Sequence, residues 1–400
     1  MAMKAPDRFG GTKVYKNISV LEAAKKRIRW VFNEFDEVLV NVSGGKDSTV
    51  VFHLALEVAR EMGRLPLHVM WLDQETEWQA TVDSVREMMS TPDVKPYWFQ
   101  IPFRSESASS SAESRPWLWN PENPDEWIRQ KDPLAIHENT FRTDKFYKLL
   151  DKIPMALFPG KKVAQLTGVR CEESPVRALG LTVSPTYKYA TWGKKGGFPE
   201  GLPIAERTEE KRCCTMHPIY DWTFSDVWKA INDHNWPYCK IYDEFYRFGV
   251  PRSEMRVSAV HHEMSIKSLW IMQEIEKDTY QKLVARLSGA DSGAKFGHMG
   301  YFPTEVPTMF GGWEDYRDFL LEKLITNDEW RESMRKQFAD HEKEYDGLIA
   351  LDNLRRVHIA AVLTNDHDGI RIANFSNAPD KIDLRMEKRR RQEAAAEASN

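Results

Sequence analysis

Apolar residues recur along the chain in two periods, and the change from one to the other divides it. Val38-Leu39-Val40-Asn41-Val42, preceded by the polar Asn33 to Glu37, predicts a short buried strand. Ser43-Gly44-Gly45-Lys46-Asp47-Ser48 follows at once, and Val50, Val51, Leu54 and Val58 then recur at helical spacing until Gly63 supplies a stop. His68 to Leu72 predicts the next strand, ending in Asp73. Strand, glycine turn, helix and strand make a βαβ unit, whose right-handed crossover implies a parallel sheet. The alternation continues through a helix near Glu77 to Met89, a strand near Tyr97 to Ile101, a helix over Thr143 to Leu150 and a strand over Val163 to Thr167. Met216 to Asn232 reads as a strand and then a helix with a capped start between Thr223 and Asp226. The serine run within Arg104 to Ser114 and the Gly193 to Arg212 stretch read as mobile loops.

Beyond about Arg252 helical spacing dominates, over Ser265 to Leu287 and Trp313 to Tyr345, with strand character only at Gly369 to Phe375. The predicted fold class is α/β, a doubly wound and mostly parallel sheet in residues 1–252, with a mainly helical accessory domain in 253–384. Residues 385–400 form a tail in which Lys388-Arg389-Arg390-Arg391 precedes Ala and Glu.

Composition narrows the function classes. The 400 residues are 42% hydrophobic and 29% charged, as in an ordinary globular chain. With 56 basic against 60 acidic residues the net charge is −4, so any contact with nucleic acid or a membrane surface has to be local. No run approaches the roughly 18 apolar residues of a spanning helix, and Met1 to Lys16 lacks the apolar core of a secretory signal. A cytoplasmic protein is expected, with no membrane partner. Fourteen tryptophans call for a large aromatic core or for stacking surfaces.

The chemistry concentrates at two strand ends. A glycine turn between a strand and a helix leaves backbone N–H groups without intrahelical acceptors, and the helix dipole favours an anion there. Gly44 and Gly45 admit a close approach, Ser43 and Ser48 add hydroxyls, and Lys46, read as a turn residue outside the core, adds charge. Asp47 reads as a brace for the loop or an acceptor on the metal side. No Gly-x-x-x-x-Gly-Lys-Ser/Thr element is present, which argues against a Walker-type nucleotidase. The second strand end carries Gly168-Val169-Arg170 with Glu173, Ser174 and Arg177, where paired arginines suit phosphate or sulfate or else bridge to Glu172 and Glu173. Asp73 reads either as an acceptor for ribose or metal or as a helix cap.

Ser-Gly-Gly-Lys-Asp-Ser resembles the pyrophosphate loop of the ATP pyrophosphatases, or adenine nucleotide alpha hydrolases. Gly168-Val169-Arg170 through Arg177, with His217-Pro218-Ile219-Tyr220-Asp221-Trp222, is similar to elements of the phosphoadenosine phosphosulfate reductase family. Arg256-Val257-Ser258 and His261-His262-Glu263 resemble the C-terminal extension of sulfotransferases of that family related to immunoglobulin-binding regulator A. The resemblance implies that the Ser43 to Ser48 loop holds the β- and γ-phosphates of ATP while a nucleophile attacks the α-phosphorus. It makes Lys46, Asp47, Arg170 and Glu173 the catalytic candidates and Ser43, Gly44, Gly45, Lys46, Ser48, Asp73, Gly168, Arg170, Ser174 and Arg177 the nucleotide-binding ones. It adds a ParB-like protein as a candidate partner, and Mg²⁺ arriving with ATP is the economical metal. Asp73-Gln74-Glu75-Thr76 departs from the family's Asp-Thr-Gly, which leaves the adenine unplaced and Glu75 and Glu77 in a loop close to substrate.

Reductases of the family use a C-terminal cysteine as nucleophile, and no cysteine follows Cys239. Cys171, Cys213, Cys214 and Cys239 contain no Cys-x-x-Cys pair, so the expectation is reduced structural thiols rather than an iron–sulfur cluster. His217, His261 and His262 have no zinc-like spacing. Trp117, Trp119 and Trp127 among Arg104, Arg115, Arg129 and Lys131 either stack nucleic-acid bases or anchor an insertion. The leading expectation is an enzyme that cleaves ATP between the α and β phosphates to activate an acceptor. The alternatives are a sulfonucleotide transferase or reductase and a non-catalytic nucleotide sensor.

Overall fold

A computed structural model of the chain describes residues 16–109, 115–174, 190–198, 213–252, 254–262, 265–296, 303–345 and 350–364. It also describes residues 4–6, 12–14, 113, 177–178, 180–181, 186–188, 366, 369, 371–372 and 375. A short hairpin, β1 (Lys4–Pro6) with β2 (Thr12–Val14), precedes helix α1 (Val20–Glu34). The central sheet then begins with β3 (Glu37–Asn41), helix α2 (Lys46–Met62), β4 (Leu67–Leu72), α3 (Gln79–Met89) and β5 (Val94–Phe99). An insertion carries the two-stranded β6 (Phe103–Arg104) and β7 (Trp117–Leu118). Helix α4 (Phe146–Leu157) leads to β8 (Val163–Leu166), and β9 (Thr186–Tyr187), β10 (Ala190–Lys195) and β11 (Cys213–Met216) complete the sheet.

The strand order is β5-β4-β3-β8-β11-β10-β9. The first five strands are parallel, and β10 and β9 join antiparallel at one edge. From β3 the chain winds outward through β4 to β5, and from β8 it winds the other way to β11, so the switch point lies between β3 and β8. In such sheets the crevice outside the carboxyl ends of the strands at the switch point receives ligands. The loops leaving β3 and β8 are the two picked out by the sequence.

Alternation along each strand builds two cores. Val38 and Val40, Val69 and Trp71, Ala164 and Leu166, and Cys214 pack beneath α1, α2, α3 and α5 (Phe224–Asp233). Leu39, Met70 and Leu72, Val163 and Cys213 point the opposite way, toward α4 and the insertion. Gly63 ends α2 in the left-handed region at φ 66°, its amide bonded to the last turn. Thr223 and Asp226 form the expected capping box. The fourth helix runs seven residues past its expected end at Leu150, with the buried Pro154 inside it.

A third core crosses Arg252. Trp78, with Tyr242 and Phe245 of α6 (Ile241–Arg247), packs against Val257, Val260 and Ile266 and against α7 (Leu269–Ile275), α8 (Lys277–Arg286) and α9 (Ala290–Phe296). A separate core joins α10 (Trp313–Leu324), α11 (Asp328–Tyr345) and α12 (Leu351–Leu363) through Leu321, Ile325, Phe338 and Ile359. Arg371, Ile372 and Phe375 have helical backbone, a correction to the strand expected there: Ile372 and Phe375 cover the helical core rather than pair with another strand. The serine run is also not free as far as it is described. Ser107 is buried, Ser109 donates to the Ser288 carbonyl and Ala108 N–H to the His261 carbonyl, because short hydroxyl side chains find backbone partners on the segment beyond Arg252. Gly193 to Lys195 lie in β10, whereas 199–212 and the basic tail fall outside the described residues. Among the described residues no helix is long and apolar enough to cross a membrane.

Candidate functional site

The loop after β3 owes its shape to its glycines. Gly44 sits at φ +70°, and a Cβ there would lie 2.5 Å from Thr81 Cγ2, so only glycine lets the loop close over α3. Gly45 is the N-cap of α2 and offers no side chain to satisfy the helix amides. Ser48 Oγ donates to the Gly45 carbonyl at 2.9 Å and accepts from Ser43 N–H at 3.2 Å, which fixes the turn from within. Lys46 is the first residue of α2 and is largely buried, contrary to its reading as a turn residue outside the core. The Phe224 and Tyr242 rings lie 5.4 and 5.7 Å from its ammonium and cover it.

The loop after β8 closes on the first. A Cβ at Gly168 would come within 2.7 Å of the backbone of Asp47 and Ser48, so glycine is what allows the two loops to touch. Asp47 spans the two loops: Oδ2 accepts from Lys46 Nζ at 2.7 Å and Oδ1 from Arg170 Nε at 2.6 Å. Arg170 is buried and also donates to Glu172 at 3.0 Å and to the Trp222 carbonyl at 3.2 Å. Glu173 pairs with Arg177, and Ser174 Oγ accepts from the Arg177 N–H at 3.2 Å. Glu173 therefore orients an arginine rather than facing the loop. Ser43, Gly44, Gly45, Lys46, Asp47, Ser48, Gly168 and Arg170 come together, with Arg177 nearby.

Arg177 also lines a cleft of about 700 Å³, together with Arg104, Arg115, Lys145, Lys148 and Arg256 and the two carboxylates Glu106 and Asp144. Burial pushes the Arg177 and Arg256 guanidinium pKa values down, and the Asp47 carboxylate opposes that for both. Arg256 has no ion-pair partner among the described residues, and Tyr242, Asp47 and Tyr147 are the groups whose field favours its charge. The sequence singled out Arg256 only within the Arg256-Val257-Ser258 resemblance, and it singled out neither Tyr242 nor Phe224. Tyr242 Oη accepts from the Lys46 N–H at 3.1 Å. Neither aromatic belongs to a local motif, and only the packing of α5 and α6 on the loop brings them in.

Asp73 is a correction. It is fully buried, and its carboxylate accepts from Trp98 Nε1 (3.0 Å), Gln100 Nε2 (2.9 Å), the Glu75 N–H (2.9 Å) and Arg129. With its lone pairs occupied it is not open to ribose or metal. Glu75 likewise accepts from the Trp119 and Ile128 amides, and Glu77 from the Ala259 N–H at 2.9 Å. Glu77 Oε1 is buried without a partner among the described residues, and burial, with the Asp73 charge, pushes its pKa up to about 8. These carboxylates pin the insertion and the 254–262 segment in place, and Gln74 of the same loop lines the cleft.

The tryptophans resolve toward anchoring. Trp119 is fully buried and donates to the Asp73 carbonyl, Trp127 donates to the Asn120 carbonyl, and Arg129 and Lys131 lie over their rings. Cys213 and Cys214 face opposite sides of β11, and Cys239 lies in a third core, so these thiols do not converge. Burial pushes the Cys213 and Cys239 thiols up to about 12 and about 11. His217 meets Thr167, and His261 meets Thr76 and Ser105. Among the described residues no group of three or more His, Cys, Asp or Glu gathers to ligate a metal, and Glu263 lies outside them.

A parallel sheet with an intact Ser-Gly-Gly-Lys-Asp-Ser loop at its switch point places the chain in the PP-loop class. It belongs to the phosphoadenosine phosphosulfate reductase domain family, whose pattern matches residues 37–249. A domain of unknown function matches residues 249–388. The chain is 28% identical over 338 residues to the uncharacterized protein YbdN of Escherichia coli K12, covering 82% of this chain and 79% of that one. It is 26% identical over 266 residues to sulfate adenylyltransferase subunit 2 of Sulfurimonas denitrificans, covering 66% and 79%. The Candida glabrata FMN adenylyltransferase in complex with ATP aligns with a TM-score of 0.33 and 15% identity, over 56% of this chain and 57% of that one.

Proposed function

We propose that the protein is an enzyme that binds ATP at Ser43 to Ser48 and cleaves it between the α and β phosphates, adenylating an acceptor held in the basic cleft and releasing pyrophosphate. The observation that carries this reading is the meeting of the α2 N-terminus, Lys46 and Arg170, with Arg177, which feels the Asp47 carboxylate, lining a cleft with six cations. A helix N-terminus, an ammonium and a guanidinium are three ways of stabilising the charge that develops on departing pyrophosphate. An acceptor oxygen attacks the α-phosphorus, the bond to the bridging oxygen breaks, pyrophosphate leaves with the electron pair, and the acceptor's proton passes to solvent. Asp47 spaces Lys46 from Arg170, Glu173 aims Arg177, and Ser43, Gly44, Gly45, Ser48, Gly168 and Ser174 shape the two loops. Magnesium enters only as the ion that accompanies ATP. Similarity to a sulfate adenylyltransferase subunit supports adenylyl transfer as the reaction class.

A sulfonucleotide substrate is the second reading, favoured by the family and by the cationic cleft. Thiol-dependent reduction draws no support from Cys213 and Cys239, whose buried thiols stay protonated at neutral pH. Incubation with α-labelled ATP and candidate anionic acceptors separates the readings. Label in AMP or in an acceptor adduct, with pyrophosphate released, supports adenylyl transfer. Sulfite release from phosphoadenosine phosphosulfate moves the assignment to the second reading, and tight nucleotide binding without turnover moves it to a sensor, for which a ParB-like protein is the first partner to test.

A further inference from the structure

Tyr242 is almost fully buried, and its ring is packed in the core that joins α6 to the segment beyond Arg252. Its hydroxyl accepts from the Lys46 N–H at 3.1 Å, the first amide of α2. The same oxygen lies 3.5 Å from where a Gly45 Cβ would stand, against the phosphate loop itself. A phenol both accepts and donates. Its acceptor side is used by Lys46, and among the described residues nothing accepts its hydrogen. A buried hydroxyl with an unused hydrogen costs free energy unless a ligand supplies the acceptor.

We propose that Tyr242 is a phosphate-binding residue that relays the Lys46 amide: its oxygen takes the Lys46 N–H, and its O–H donates to a nonbridging oxygen of the polyphosphate. The inference rests on the ATP reading of the loop and adds a ligand from outside its motif. The relay extends the reach of the helix N-terminus by one hydroxyl, borne on a ring that lies 5.7 Å from the Lys46 ammonium. Burial and the nearby Asp47 carboxylate hold the phenol pKa above its usual value, so the donor keeps its hydrogen throughout the neutral range. The opposite arrangement, in which Tyr242 plugs the amide and has to leave before phosphate enters, gives the opposite sign on mutation.

Calorimetric titration of the full chain with ATP and with inorganic pyrophosphate tests the relay. Tyr242→Phe keeps the ring in the core and removes only the hydroxyl, so its thermal midpoint should stay near that of the wild type. Both ligands should bind about ten- to a hundred-fold more weakly to Tyr242→Phe, the range for one hydrogen bond to a charged group. Unchanged or tighter binding overturns the relay, and tighter binding identifies the plug. Should the variant fail to fold, fluorotyrosine at position 242 keeps the hydroxyl, and its fluorine resonance should move on adding pyrophosphate. A resonance that stays put also overturns the relay. Wild-type protein that binds pyrophosphate but releases no AMP from ATP removes the proposed reaction and leaves the relay standing, whereas failure to bind either ligand removes both.

Discussion

Arg170 donates from Nε to Asp47 Oδ1 across 2.6 Å, although 123 residues separate the two in sequence. The contact ties the loop leaving β8 to the loop leaving β3 at the switch point. Because Lys46 holds the other oxygen of the same carboxylate, Asp47 keeps two cations in place that would repel each other without it. The two cations are then positioned before any anion arrives, which lowers the cost of organising the site.

Lys46→Ala should therefore leave the fold intact and lower ATP turnover by about 10²–10³, the cost of one donor to developing charge. Asp47→Asn should act differently, raising KM more than it lowers kcat, because it loosens two cations and removes neither. Steady-state kinetics of AMP release checks both, and a folded Lys46→Ala protein with wild-type turnover would discard the assignment.

Much of this arrangement was legible in the sequence because it is local. Strand, glycine turn and helix follow one another within β3 to α2, and the residues that make the turn are contiguous. Arg170 and Gly168 were legible for the same reason at the second strand end. Asp73 misled because a carboxylate at a strand's carboxyl end looks the same whether it faces a ligand or the interior. Its fate was set by Trp98, Gln100 and Arg129, from β5, the stretch just after it and the insertion. Tyr242 gave no signal and Arg256 only a resemblance that tied it to no loop, since both reach the site only once the segment beyond the sheet folds back on it. The tryptophans were read with two meanings, and only burial chose between them.

Glu77 should make stability fall as pH rises through the neutral range. Its folded pKa is raised to about 8 from an ordinary carboxyl value of 4.5, chiefly by burial and then by Asp73, with the Ala259 amide and Arg129 opposing. For a raised pKa the stabilisation is complete below the unfolded value and is lost as pH rises toward the folded one. Glu77→Gln removes this dependence and keeps the shape of the side chain. Denaturant midpoints from about pH 5 to about pH 8 should fall for the wild type relative to the variant. The pairing cancels the buried histidines His261 and His262, whose depressed values affect both proteins alike. Parallel profiles would mean that Glu77 is ionised in the native state.

We propose that the structural division of the chain falls after Phe296 rather than at Arg252. A chain ending at Arg252 loses Val257, Ile266, Leu269, Ile271, Met272, Leu283 and Leu287 from the core that holds Trp78, Tyr242 and Phe245. Each fully buried apolar side chain of that kind contributes about 1.5–3 kcal/mol, so the loss exceeds the stability of an ordinary domain. It also strips the Ala259 amide from Glu77 and the Val257 carbonyl from Thr81. The chain ending at Arg252 is expected to show no cooperative melting, and one ending after Phe296 to melt cooperatively and bind ATP. Cooperative melting and ATP binding by the shorter chain would restore the boundary at Arg252.

Arg256 should reveal itself by a gain in stability when it is removed. Its guanidinium is half-buried at the cleft wall, has no carboxylate partner among the described residues, and carries a pKa pushed down by burial. A partly desolvated cation with no direct ion pair, held only by the more distant Asp47 carboxylate, is a net cost to the free protein, and replacing it with an apolar side chain of similar volume relieves that desolvation. The cost is recovered when an anion binds. Arg256→Met is thus expected to melt at a higher temperature than the wild type without nucleotide, and to gain less on adding ATP. Melting curves with and without ATP read both signs in one experiment. A variant that melts lower and gains as much from ATP as the wild type would show that Arg256 serves the fold and not the ligand.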